Sequence, residues 1–136
     1  MNYSLPIKYL LVMAVMLTGS GIWMFALHTS MSVEGTAAYY APKSIFGILE
    51  TVTPHLFGMG TLVFVLTHFF AILKDIDQKR YGIFSIGFFS VMLLANLSGF
   101  FITEESVWFV ALLKLAATCI FLAYTLVSVW RLLRYV

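Results

Sequence analysis

Apolar residues fall into long uninterrupted stretches along this chain, at roughly residues 7–27, 54–73, 81–102 and 106–130. Each is close to the about 20 residues that a helix needs to cross the hydrocarbon core of a bilayer. A backbone in lipid must satisfy its own hydrogen bonds, and none of the stretches alternates polar with apolar as a barrel strand would. The pattern predicts an all-α integral membrane protein: a four-transmembrane-helix antiparallel bundle, one domain over residues 1–136. The first stretch is longer than the apolar core of a signal peptide and is followed by HTSMSVEG, which offers no small-residue cleavage site, so it reads as a retained helix.

The segments between the helices differ. KDIDQKR and the few residues around Thr103–Glu105 are short, which makes helices two, three and four antiparallel neighbours. The segment from His28 to Thr53 is long for a bundle. Within it AYYAPKSIFGILE places Tyr39, Tyr40, Ile45, Phe46, Ile48 and Leu49 so that a short helix could lie on the membrane surface. Thr53 and Pro54 then suit the N-cap and first position of the second span.

Charge sets an orientation. If the helices alternate, Lys8, Lys74, Lys79, Arg80, Arg131 and Arg134 fall on one side and Lys43 on the other, with Glu34, Glu50, Glu104 and Glu105. The excess of Lys and Arg puts both termini in the cytoplasm, and the expected location is a bacterial inner membrane. Trp23, Trp108 and Trp130 lie near predicted helix ends, where an indole suits the interface.

Composition removes several function classes. Residues are 62% hydrophobic and 10% charged, so a soluble fold is excluded; the net charge of +2 gives no reason to expect nucleic acid. Lipid is the expected surroundings. The single Cys119 rules out an intrachain disulfide and is expected to be buried and inert. No phosphate-binding glycine loop or nucleophile triad is present.

What remains is a small set of polar groups inside apolar stretches. His28 ends the first span and His55 begins the second, so the two meet one face of the membrane at one depth. Two imidazoles from neighbouring helices can hold a haem iron from both sides. The plainer role is interfacial, with the polar tip among headgroups. His68 lies about 20 Å along the same helix from His55 and roughly 140° round from it. At its level Met13 or Met16 could serve as a second haem ligand, and a hydrogen bond to Ser85 or Ser128 explains it equally well. Gly19 and Gly21 on the first span, and Gly58 and Gly60 on the second, admit either a flat macrocycle or ordinary close helix contact. Gly58 shares a face with His55. Lys114, within VALLKLAAT, is the strongest anomaly, because a lysine at mid-helix costs about 2.5–3.5 kcal/mol to insert. It calls for a partner: a haem propionate, a quinone carbonyl, or Asn96, Glu50 or Glu105. The alternative is a side chain that snorkels to the interface.

Four helices with histidines near their ends and glycines close by resemble small membrane b-type cytochromes, of the cytochrome b561 and formate dehydrogenase gamma-subunit types. The resemblance covers the whole chain in architecture. In motif it rests on HTS at His28, TPHLFGMG at His55 and THFF at His68. Such cytochromes usually offer matched histidine pairs at both faces, whereas this chain has three histidines and supports at most one bis-histidine haem. The resemblance implies electron transfer with haem b as cofactor and quinone or other redox subunits as partners. The expected site is His28 and His55 as iron ligands, with Lys114, Gly58, Gly21 and His68 in the cofactor's surroundings. Two other roles fit the same chain: a non-enzymatic membrane subunit that anchors or assembles a larger complex, and a small transporter or proton path through Lys114 and His68.

Overall fold

Helix follows helix throughout the computed structural model, which describes residues 4–72, 77–103 and 107–134. In order these are α1 (Ser4–Thr29), α2 (Val33–Tyr40), α3 (Ile45–Ile72), α4 (Gln78–Leu97) with a 3-10 turn (Ser98–Phe101) continuing it, and α5 (Val107–Leu133). The four long helices are long and apolar enough to cross a membrane. The expectations for Lys74, Glu104 and Glu105 concern residues outside the described ranges.

Two boundaries differ from those read off the sequence. The short helix is α2, not a surface helix built from Tyr39 to Leu49. Ile48 and Tyr40 are buried instead of lying on the membrane. Residues 45–53 belong to α3, and Pro54 sits inside that helix. The start signal is Ser44, whose Oγ accepts from Gly47 N at 3.2 Å. Proline removes one intrahelical bond, the one Glu50 would have accepted, and both residues are exposed. At 1.5 Å per residue, the 28 residues of α3 reach about 42 Å, more than the about 30 Å of hydrocarbon. Its first turns therefore project to the interface, where the unbonded carbonyl can be hydrated. Cys119 is exposed on α5, not buried; mid-helix, that face meets lipid.

Apolar side chains gain little from leaving lipid for protein, so packing must come from shape and aromatic contact. Phe88 of α4 lies 5.4 Å from Phe121 and 5.3 Å from Tyr124 of α5, and Phe84 lies 5.8 Å from Phe70 of α3 (ring centroids). Such pairs contribute about 0.5–1.5 kcal/mol each beyond burial. Gly87 makes room for this cluster: a Cβ there would stand 2.7 Å from the Tyr124 hydroxyl oxygen. Tyr81 of α4 donates its hydroxyl to the Thr67 carbonyl at 3.0 Å and ties the start of α4 to the end of α3.

α1 joins this core through Ile7, Leu11 and Ala14 in its first half. Its second half is mostly exposed: Trp23 and Leu27 lie open, and Leu17, Ile22 and Met24 border a cleft. The chain then reverses through Ser30 and Met31, both left-handed with φ of 51° and 53°. Ser32 caps α2, accepting from Gly35 N at 2.9 Å. Tyr40 and Ala37 of α2 close a second small core with Ile102, Val110 and Ala111.

Candidate functional site: a cleft between α1 and α3

α1 packs on α2 and α5, and α3 packs on α4 and α5. Between the second half of α1 and the first half of α3 lies a cleft of about 530 Å³. That volume is within the range of roughly 300–1,000 Å³ usual for small-molecule sites. His28, His55, Gly21, Gly58 and Lys114 all line it. Five of the six residues singled out from the sequence thus meet in one place. Its deeper wall is apolar, from Leu62, Phe121 and Leu122.

His55 is exposed, and its Nδ1 lies 2.7 Å from the Thr51 carbonyl oxygen. A carbonyl can only accept, so the proton of that bond belongs to Nδ1, and in the neutral ring Nε2 carries the lone pair. This is the arrangement in which a ligating imidazole is held. His28 is also exposed, and its ring stacks on Tyr39 with centroids 4.7 Å apart and planes at 28°.

Gly21 and Gly58 do not mediate helix contact: a Cβ at either would meet nothing within 4 Å. Of the two roles open to them, approach of a flat group into the cleft fits and close helix packing does not. Gly60 differs, since a Cβ there would touch Met92 at 3.9 Å.

Lys114 is 4% exposed and does not snorkel. Its Nζ donates to the Ala95 carbonyl at 2.6 Å and sits 4.5 Å above the Tyr40 ring centroid. Neither Asn96 nor Glu50 is its partner. Asn96 donates instead to the Met92 carbonyl at 2.8 Å and the Met59 sulfur at 3.4 Å. An ammonium has three donors, and the carbonyl and the ring take two. Thr18 adds a second donor to the cleft. Thr29, Thr36, Thr67, Thr118 and Thr125 each donate to the carbonyl four residues back. Thr18 Oγ1, though shielded, has no partner among the described residues.

His68 is elsewhere. It does not line the cleft; it is exposed on α3, stacked on Phe64 and edge-on to Phe69, each at 6.2 Å. The hydrogen bond to Ser85 or Ser128 is not made: Ser128 donates to the Tyr124 carbonyl, and Ser85 Oγ has no partner among the described residues. Met13 and Met16 are largely exposed.

The contribution of α2 and of the first turns of α3 is what sequence reasoning missed. Tyr39 and Thr51 contact the two histidines, and Tyr40 and Lys43 back them; their hints in the sequence are only an aromatic pair and a lysine standing apart from the other basic residues. Burial and Tyr39 push the Tyr40 phenol up to about 12, burial being the larger cause.

A helical bundle embedded in the membrane, with a cleft open between two of its spans, is the class that this geometry defines. The chain belongs to a family of transmembrane helical domains, Aq_1264_TM, matched over residues 30–136. The match opens one residue after α1 closes, so it takes in His55, Gly58 and Lys114 but not His28 or Gly21. No curated protein and no solved structure matches the chain.

Proposed function

We propose that the chain is a membrane electron-transfer protein that binds a b-type haem in the cleft, where His28 and His55 would hold the iron. The observation that carries this reading is that imidazoles from two spanning helices line one cleft. Three others support it. The His55 bond to Thr51 leaves Nε2 free to ligate. The open faces at Gly21 and Gly58 suit a planar macrocycle. The buried Lys114 ammonium suits the macrocycle's carboxylates. Among the described residues no group of three or more His, Cys, Asp or Glu could hold a metal ion, and a haem iron needs only two protein ligands.

When bound, the haem would supply one-electron exchange; the chain's part is to fix the imidazoles, exclude water with Leu62, Phe121 and Leu122, and set the local charge through Lys114. A quinone dissolved in the bilayer is the redox partner this reading favours, because the cleft lies between two lipid-facing helices. Lys8, Lys79, Arg80, Arg131 and Arg134 favour cytoplasmic termini in a bacterial inner membrane.

The test is the absorption spectrum of the purified, dithionite-reduced protein after expression with ample haem. A b-type α-band is expected in wild type and His68→Ala, and its loss in His28→Ala and His55→Ala. A colourless wild-type protein would end the proposal.

His68 favours a second reading. An exposed imidazole in a spanning helix with no hydrogen-bond partner among the described residues suits a contact with another membrane subunit. Stoichiometric partners purified in mild detergent, lost in His68→Leu and accompanied by no haem, would favour an anchoring or assembly subunit.

A further inference from the structure

We infer that Lys43 is a positioning residue that clamps both candidate ligands, His28 through Tyr39 and His55 through Thr51. The inference deepens the haem reading and rests on it for its redox consequence. Lys43 lies in the connection between α2 and α3. Its Nζ stands 3.7 Å from the Tyr39 ring centroid, and Tyr39 in turn stacks on His28. The same Nζ donates to Thr51 Oγ1 at 3.1 Å, and the Thr51 carbonyl holds His55 Nδ1. One ammonium thus joins a chain of contacts that runs from the end of α1 to the first half of α3, the two helices that form the cleft walls.

Each link has its own physical basis. The ammonium is drawn to the negative face of the phenol ring. Tyr39 is further fixed edge-on by Tyr40, with centroids 4.9 Å apart. Thr51 is held on its other side, donating its hydroxyl to the Gly47 carbonyl at 3.0 Å. That leaves an oxygen lone pair for Lys43 and fixes the turn whose carbonyl orients His55. Lys43 and Tyr39 are both partly buried and lie outside the main aromatic core, and Tyr39 also packs against the small core of Ala37, Tyr40, Ile102, Val110 and Ala111. The contacts of Lys43 itself go to Tyr39 and Thr51, the two residues that hold the imidazoles.

The experiment uses the full-length protein in detergent with Lys43→Met, Lys43→Arg and Tyr39→Leu. Carbethoxylation of histidines by diethyl pyrocarbonate, followed by mass spectrometry, reads how firmly each ring is held without needing any haem. Lys43→Met is expected to raise the rates at His28 and His55 several-fold and leave His68 unchanged. Lys43→Arg restores both, because a guanidinium also stacks and donates. Tyr39→Leu raises the rate at His28 only. Wild-type rates at both rings in Lys43→Met, or an equal rise at His68, would overturn the clamp. In haem-loaded protein, loss of the positive charge in Lys43→Met lowers the midpoint potential, and Lys43→Arg does not. A wild-type protein without a haem spectrum removes the haem reading and leaves the clamp to be decided by the modification rates.

Discussion

The Lys114 ammonium and the Ala95 carbonyl meet at 2.6 Å where α5 crosses the end of α4. Ala95 lies in the last turn of α4, at the negative end of the helix dipole. The turn tightens into the 3-10 segment, and Ser98 Oγ also donates to Ala95, at 3.4 Å. A helix end and an aromatic face thus accommodate a charge that would otherwise cost about 2.5–3.5 kcal/mol to insert.

The first prediction follows from that pairing. Replacing a buried ion pair by apolar side chains of similar volume is often neutral or stabilising by about 1–4 kcal/mol, and among the described residues Lys114 has no anion to offset its desolvation, only a carbonyl and a ring. Lys114→Met should therefore fold with unchanged or higher thermal stability by circular dichroism, and under the proposed haem reading it should retain less haem. A large drop in melting temperature would mean that the ammonium holds the bundle together.

The glycines give a second prediction, because they differ in what surrounds them. Gly58→Leu should leave the fold intact and block the cleft, since a Cβ there meets nothing. Gly35→Ala should disrupt the corner between α1 and α2, because its Cβ would overlap the Thr29 carbonyl oxygen. Gly87→Ala should destabilise by about 1–3 kcal/mol through overpacking against Tyr124. Denaturation midpoints together with haem content separate the three.

Four spans follow from hydropathy, and the pairing of α3 with α4 and of α4 with α5 from their short connections. The cost of a polar group in lipid singles out His28, His55 and Lys114, which line one cleft. The start of α3 does not follow, because Thr-Pro is a strong local start signal that Ser44 and the anchors Ile48 and Val52 override. Nor do the partners of Lys114: a backbone carbonyl and a ring face carry no mark in a sequence. His68 resembles the other two histidines in type, but its depth, about 20 Å along the helix from His55, and its helical phase already set it apart from that residue.

Proton linkage at Tyr40 gives a third prediction. Its phenol is held neutral from the ordinary 10.0 up to about 12, mainly by burial. Between those values the folded state keeps a proton that the unfolded state releases. Its stabilising contribution is whole below pH 10.0 and declines as pH rises towards about 12. Ultraviolet titration of the phenols should include a late ionisation that disappears in Tyr40→Phe, and thermal stability should fall less steeply with alkali in that variant.

The corner between α1 and α2 gives a fourth. Ser32→Ala removes the cap on Gly35 and should cost about 1 kcal/mol. Met31→Gly should be neutral or stabilising by up to about 1 kcal/mol, because a side chain at φ 53° is strained and glycine is not. Thermal denaturation of both variants in one detergent checks the signs.

α1 is fastened to the rest of the protein near its beginning and at the corner beyond its end, and between those points one flank borders the cleft. A molecule seated there would act as mortar between two walls. Its binding energy would add directly to resistance against unfolding, so melting temperature should climb with the concentration of a true occupant and ignore an impostor. Heat alone can thus screen candidate molecules, coloured or not.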